Sequence, residues 1–321
     1  MTRRRITVAA LVLLLAVVGA SVGTAPAAAQ VRTPINIPVV TLGGMQFWAD
    51  VRLQEGWRIQ RNSITGHYRL LDDDNIRRAW GSFADAMAAM DTIAPAPGDP
   101  TGRHLVMLIP GALRSPHSFA AMGQELEEAG YQVAAITYDS SRRGFDDHVG
   151  DLAGLLGDLE GYDQISFVTH SMGGLIVRAL LSEKSEWRGR IAVVAVVQIA
   201  PPNQGSAAAE VMRDTPIFRL LYGSAGKVLR HDAARALPLL DPPVAVIAGG
   251  TGTADGHNPL IPGDDDGVLA VAETRLEGAH DFLVVDALHS FILDHPATIA
   301  AVLNFLETGR LKSPATPPLA R

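Results

Sequence analysis

Ile165-Ser166-Phe167-Val168-Thr169-His170-Ser171-Met172-Gly173-Gly174-Leu175 is the stretch from which the rest of this chain can be read. Residues 165–168 favour an extended strand, and 175–181 form a helix-favouring run. A serine set between a strand and a helix, with small residues around it, meets the needs of a strained nucleophile turn. Such a turn forces the serine backbone into a tight conformation, lifts the hydroxyl above the sheet edge and aims the next backbone N–H at a reacting carbonyl. Gly173 suits that geometry, because a Cβ two residues past the nucleophile would crowd the strand and block a substrate. Thr169 stands where the G-x-S-x-G pattern has its first glycine, so the match is incomplete. The competing reading is an ordinary strand-to-helix turn rich in small residues.

Outward from this turn the chain alternates between two kinds of segment. Apolar strand patterns at 105–109, 133–136, 165–168, 191–199, 244–247 and 282–285 are interleaved with helical patterns at 119–129, 145–159, 175–181 and 297–306. Continuous apolar strands alternating with helices predict an α/β fold, with a mostly parallel sheet covered by helices on both faces. Ahead of it, 31–72 is a β-rich extension. Strand patterns at 39–42, 46–51, 57–60 and 68–71 are punctuated by Gly43-Gly44 and Thr65-Gly66. Ile76, Trp80, Phe83, Met87 and Met90 then recur at helical spacing, predicting a helix over 76–90. Trp48, Trp57 and Trp80 fall in this region and are read as packing the hairpins onto the main sheet rather than as a substrate platform. The Ala94-Pro95-Ala96-Pro97-Gly98-Asp99-Pro100 break separates the two regions.

The expected organisation is therefore a signal at 1–29, a β-rich extension with a helix at 30–92 and a linker at 93–102. An α/β domain follows at 103–310, with a cap insertion near 203–243, and then a disordered tail at 311–321. Arg3-Arg4-Arg5, the apolar run 6–22 and the small-residue site Ala27-Ala28-Ala29 make the N-terminus an export signal, cut before Gln30, with the protein periplasmic or secreted. Thr2-Arg3-Arg4-Arg5-Ile6 also distantly resembles a twin-arginine signal. An uncleaved membrane anchor is the alternative, since the apolar run is near the spanning minimum of roughly 17 residues. The 321 residues are ample for one large α/β domain with an appendage. A formal charge of −7, with no basic stripe, argues against a nucleic-acid partner. The absence of cysteine excludes disulfides, thiolate catalysis and cysteine-ligated metals.

A serine hydroxyl needs a base, and the base needs an orienting acid. His170 adjoins Ser171, but neighbouring side chains on an extended segment point to opposite faces, so it packs or hydrogen-bonds structurally. With the chain order serine, acid, histidine, the downstream candidates are His231, His257, His280, His289 and His295. His289 follows the last predicted strand, at the same sheet edge as Ser171, whereas His280 precedes that strand and His295 opens the terminal helix. The acid should follow the strand at 244–247, where Asp255, Asp264, Asp265 and Asp266 are available. Asp266 is preferred because Gly267 permits a sharp turn and 268–271 then anchors the loop; a solvated acidic loop is the bland alternative. The cluster offers oxygens for Ca²⁺ but lacks the twelve-residue loop pattern of such a site. Two backbone donors complete the set: Met172 N–H, and Ala112 N–H from the loop Pro110-Gly111-Ala112-Leu113.

With these pieces assembled, 103–309 resembles a bacterial α/β-hydrolase of the lipase/esterase kind. Leu108-Ile109-Pro110-Gly111 resembles that family's oxyanion loop, with Pro110 where many members carry histidine. Residues 168–174 resemble its nucleophile elbow, and Ala200-Pro201-Pro202-Asn203-Gln204-Gly205-Ser206 the loop lipases place after the next strand. The resemblance implies an α/β-hydrolase fold and an exported enzyme cleaving carboxylic esters through an acyl group on Ser171. It implies a small-molecule or lipid ester as substrate, with contact at a membrane surface open, and no metal or organic cofactor. In the insertion, Ile217-Phe218-Arg219-Leu220-Leu221-Tyr222 and Val228-Leu229 are either an apolar lid or a helix packed on the sheet. Two alternatives stay open: an envelope acyltransferase using the same three side chains, and a non-catalytic binding protein on a hydrolase scaffold.

Overall fold

The computed structural model of the chain describes residues 47–212, 215 and 225–312. The signal at 1–29, the strand pattern at 39–42, the apolar stretch 217–222 and most of the C-terminal tail lie outside the described residues.

The main sheet has six strands: β5 (His104–Ile109), β6 (Gln132–Ala135), β7 (Gln164–His170), β8 (Ala192–Ile199), β9 (Val244–Gly250) and β10 (Asp281–Asp286). They lie in the order β10-β9-β8-β7-β5-β6, and every neighbouring pair is parallel. Parallel strands need crossovers, and α2 (Ala120–Glu128), α3 (Phe145–Gly157) and α4 (Met172–Ser182) each lie between two of them, while the terminal helix α8 (Pro296–Thr308) follows the last strand. Alternation along each strand feeds two cores. Leu105, Met107, Ile109 and Phe167 pack with residues of α3 and α4, while Val106, Leu108, Val168 and Val197 pack with residues of α2 and α8. From β5 the chain runs outward to edge strand β6, then back past β5 to β7. The loops leaving β5 and β7 therefore part in opposite directions, and the crevice between them is the topological switch point of the sheet.

The extension forms a separate antiparallel sheet in sequence order: β1 (Trp48–Gln54), β2 (Trp57–Asn62), β3 (Tyr68–Leu71) and β4 (Arg77–Gly81). Here the structure corrects the helix expected over 76–90. Residues 77–81 pair with β3, and the helix α1 begins only at Phe83 and runs to Ile93. Gly81 at φ 147° breaks the chain direction. Ser82 then caps the helix reciprocally with Asp85, its hydroxyl accepting from Asp85 N–H while Asp85 accepts from Ser82 N–H. α1 packs Ala86 and Met90 on Ile59 and Leu70. Trp57 joins that small core, but Trp80 is exposed and packs nothing onto the main sheet.

Within the insertion, α5 (Ala207–Met212), a 3-10 turn (Ala225–Leu229) and α6 (His231–Ala236) are described. Val228 and Leu229 are buried in the main core, so this part of the insertion is packing rather than lid. A short helix α7 (Val271–Thr274) follows the loop after β9. Leu311, at the start of the expected tail, is buried, and its N–H donates to Asp281 Oδ2.

Candidate active site

Ser171 stands between β7 and α4 with φ 51° and ψ −125°, a left-handed backbone that a non-glycine residue adopts only under constraint. Its N–H donates to Ile199 O at 2.9 Å, which ties the turn to β8. A Cβ on Gly173 would lie 2.7 Å from Ile109 O and 2.8 Å from Pro110 O, so the absent side chain lets the turn close against the β5 loop. Gly111 is equally hemmed in: a Cβ there would meet Ser171 Cβ at 3.0 Å. Two further non-glycine residues with positive φ, Leu113 (62°) and Ala200 (47°), sit just past β5 and β8 at the same sheet edge.

His289 follows β10, and its Nε2 lies 3.2 Å from Ser171 Oγ. Its Nδ1 lies 2.7 Å from Asp266 Oδ2. The other carboxylate oxygen of Asp266 accepts from Val268 N–H at 3.0 Å and Leu269 N–H at 2.7 Å, and His289 N–H donates to Asp266 O at 2.8 Å. The structure thus brings Asp266, not its neighbours, to the imidazole. Asp264 accepts from the N–H groups of Thr251 and Gly252, and Asp265 from those of Asn258 and Gly267, so both serve the loop. Asp255 is exposed. The remaining downstream histidines are occupied elsewhere. His231 Nε2 is 3.8 Å from Glu273, His257 Nε2 is 3.4 Å from Asp286, His280 Nδ1 accepts from Val244 N–H, and His295 Nδ1 accepts from Ala297 N–H at the start of α8.

His170 is buried, and its Nε2 donates to His289 O at 3.1 Å. Burial, reinforced by the adjoining His289 ring and the positive charge of Arg114, holds its pKa well below the usual histidine range, so it is neutral. It holds the backbone of His289, the candidate base, in place.

Ala112 and Met172 lie on the loop after β5 and the first residue of α4, the two arms of the crevice. Neither N–H has an acceptor among the described residues. The β5 loop is braced from behind. Tyr138 OH donates to Pro110 O at 2.7 Å, and Leu113 N–H donates to Ser140 Oγ at 2.8 Å. Burial raises the Tyr138 phenol, which keeps it a proton donor.

No family model and no curated protein matches the chain. Among solved structures it is similar to a lipase of Bacillus licheniformis in its mature form, at 15% identity over 66% of this chain and 95% of that one, with a TM-score of 0.53. The propeptide form of the same lipase gives 19% identity over 70% of this chain and 55% of that one, also at 0.53. The fold is that of the α/β-hydrolases. A metagenomic carboxyl esterase also matches, at 20% identity over 63% of this chain and 69% of that one, with a TM-score of 0.46.

In this α/β-hydrolase fold, sequence reasoning missed the residues that hold the crevice from outside. Tyr138 and Ser140 carry no local signal. Nor does Arg178 of α4, which is buried and donates to the carbonyls of Asn203, Ala234, Leu237 and Pro238, tying the serine's helix to the insertion. The one sequence feature that could have pointed to it is its place as a charged residue inside the apolar run 175–181.

Proposed function

We propose that this protein is a serine hydrolase of carboxylic esters, acting through an acyl-enzyme on Ser171. The observation that carries this is the continuous chain Ser171 Oγ–His289 Nε2–Asp266 Oδ2, with distances of 3.2 and 2.7 Å, at the switch point of the sheet. His289 takes the hydroxyl proton as Ser171 Oγ attacks the ester carbonyl, and Asp266 stabilises the imidazolium that forms. Ala112 and Met172 N–H groups receive the oxyanion. His289 then passes the proton to the leaving alcohol, activates a water by accepting its proton, and returns that proton to Ser171 as the acid departs. Support for an apolar ester comes from the rim: Leu288 and Phe291 on either side of His289, and Val268 beyond Asp266, are exposed. Among the described residues no helix is long and apolar enough to cross a membrane. Export rests on Arg3-Arg4-Arg5, the apolar run 6–22 and Ala27-Ala28-Ala29, and the mass of the protein recovered outside the cytoplasm tests cleavage before Gln30.

The decisive experiment is hydrolysis of p-nitrophenyl esters of graded acyl length by the wild type and Ser171→Ala, with a fluorophosphonate probe as a parallel readout. Turnover should fall by about a thousandfold or more in Ser171→Ala, and labelling should vanish. Equal activity in both proteins sinks the proposal. Adding an alcohol acceptor and measuring the acylated product separates hydrolysis from transfer.

A further inference from the structure

The antiparallel sheet has two unlike faces. Ile59, Leu70 and Ala79 turn to α1, whereas Arg58, Gln60, Arg69 and Leu71 share the other side, because residues two apart on a strand point the same way. The register sets Gln60 opposite Arg69 and Arg58 opposite Leu71. A bulge beside Leu71 sets Arg77 opposite it and leaves Arg78 as the extra residue. Three adjacent strands thus each bring one guanidinium to the same wall. That wall faces His117, α2 and edge strand β6 across a cavity of about 730 Å³, the size of a small-ligand site.

The protein leaves positive charge there. Arg58 lies 3.6 Å from the buried carboxylate of Asp50, yet its own Nε is buried without an acceptor. Arg69 has no carboxylate within ion-pair reach among the described residues. Its Nε and Nη2 both donate to Gln60 Oε1, at 2.9 and 2.6 Å, and its guanidinium carbon lies 3.9 Å from the centre of the Trp48 ring. Gln60 Nε2 in turn donates to Asp50 Oδ1, which fixes the amide and so the guanidinium it holds. Burial pulls Arg69 down to about 10, which still leaves it charged at neutral pH. The two carboxylates of the lining, Asp74 and Glu127, are solvent-exposed, while the arginines are half-buried. A half-buried guanidinium with no carboxylate partner, as at Arg69, is costly. Nothing in the proposed ester chemistry uses them.

We propose that this cleft binds a phosphate group, held by Arg69 and Arg77 with Arg58 behind them, at a site separate from Ser171. Guanidinium groups spread over three strands suit a multiply charged tetrahedral anion, whose several oxygens accept forked N–H pairs. The phosphate comes either free in solution or on a lipid headgroup, and the test distinguishes the two.

Inorganic phosphate is titrated calorimetrically into the full chain, the wild type against Arg69→Gln, Arg77→Gln and Arg78→Gln. The wild type should show saturable binding. Arg69→Gln and Arg77→Gln should each weaken it by about tenfold or more. Arg78→Gln, whose guanidinium pairs with Asp72 away from the cavity, should match the wild type. Cosedimentation with phosphatidylcholine vesicles, with and without phosphatidic acid, assigns the source: retention on the acidic vesicles, lost in the same two variants, marks a headgroup, and phosphate binding without retention marks the free anion. Soluble-ester hydrolysis should be unchanged in Arg69→Gln, so failure here is separable from failure at Ser171. If Arg69→Gln does not fold, Arg69→Lys keeps the charge, loses the fork and should bind with intermediate strength. Absence of saturable binding by the wild type, or affinity equal to the wild type's in Arg69→Gln and Arg77→Gln, overturns the proposal.

Discussion

At the scale of single residues, the crevice is built by side chains that are missing as much as by those present. Ser171 holds its left-handed backbone because Gly173 and Gly111 let the β7 turn and the β5 loop approach to contact. The atoms a new methyl group at 173 would strike are backbone carbonyl oxygens, which cannot rotate away as a flexible side chain would. Gly173→Ala is therefore expected to push the loop carrying Ala112 away from Ser171. Stability should drop by about 1–3 kcal/mol, and kcat by about a hundredfold, since a displacement near 1 Å misplaces the oxyanion donors. Ester kinetics beside a denaturant titration check this; a kcat equal to the wild type's would show that the donors lie elsewhere. Thr169 occupies the first glycine position of the elbow pattern without such a clash, being fully buried with its hydroxyl donating to Val197 O. The incomplete motif therefore costs this turn nothing that the structure reveals.

At the scale of elements, the loop after β5 depends on the segment after β6. Tyr138 and Ser140 hold Pro110 and Leu113 from behind, so the segment after edge strand β6 braces the candidate oxyanion loop through two hydrogen bonds. Tyr138→Phe removes one of them at nearly constant volume. A bond of about 1 kcal/mol expressed in the transition state predicts a fall in kcat of about five- to tenfold with KM little changed; a rise in KM alone would mean that Tyr138 serves binding instead. These braces also mark where the sequence stopped being legible. β5, β7, β8, β9 and β10 announce themselves as short apolar runs, and Ser171, Asp266 and His289 could be chosen because each follows such a run in the order this sheet requires. The register among Asp264, Asp265 and Asp266 followed from Gly267 and the anchoring run 268–271. Tyr138 and Ser140 join partners 28 and 27 residues away through single hydrogen bonds, and no periodicity records such contacts. The segment at 77–81 misled for a related reason. Ile76, Trp80 and Phe83 fall at helical intervals, but all three are exposed, and pairing with β3 decides the strand.

At the scale of the whole molecule, two buried histidines tie stability to pH. His170 is held neutral beneath the candidate base, and burial pushes His148, on α3, down to about 4 although Asp139 lies nearby. Above about pH 6.5 neither state of the chain protonates these rings, so they contribute no pH dependence. Below that, the unfolded chain takes up protons that the folded chain refuses, and unfolding becomes easier as pH falls. The slope approaches about 1.4 kcal/mol per pH unit for each histidine. Nearer pH 4 the balance changes, because burial raises Asp50 and Asp151, and their protonation then favours the folded state. The histidines therefore govern the window from about pH 6.5 to 5. Denaturant midpoints across that window should fall steadily in the wild type. They should fall less steeply in His148→Gln, which keeps a polar side chain against Asp139 but cannot take up a proton. Parallel stability curves in the two proteins would place the acid sensitivity at His170 and leave His148 without a part in it.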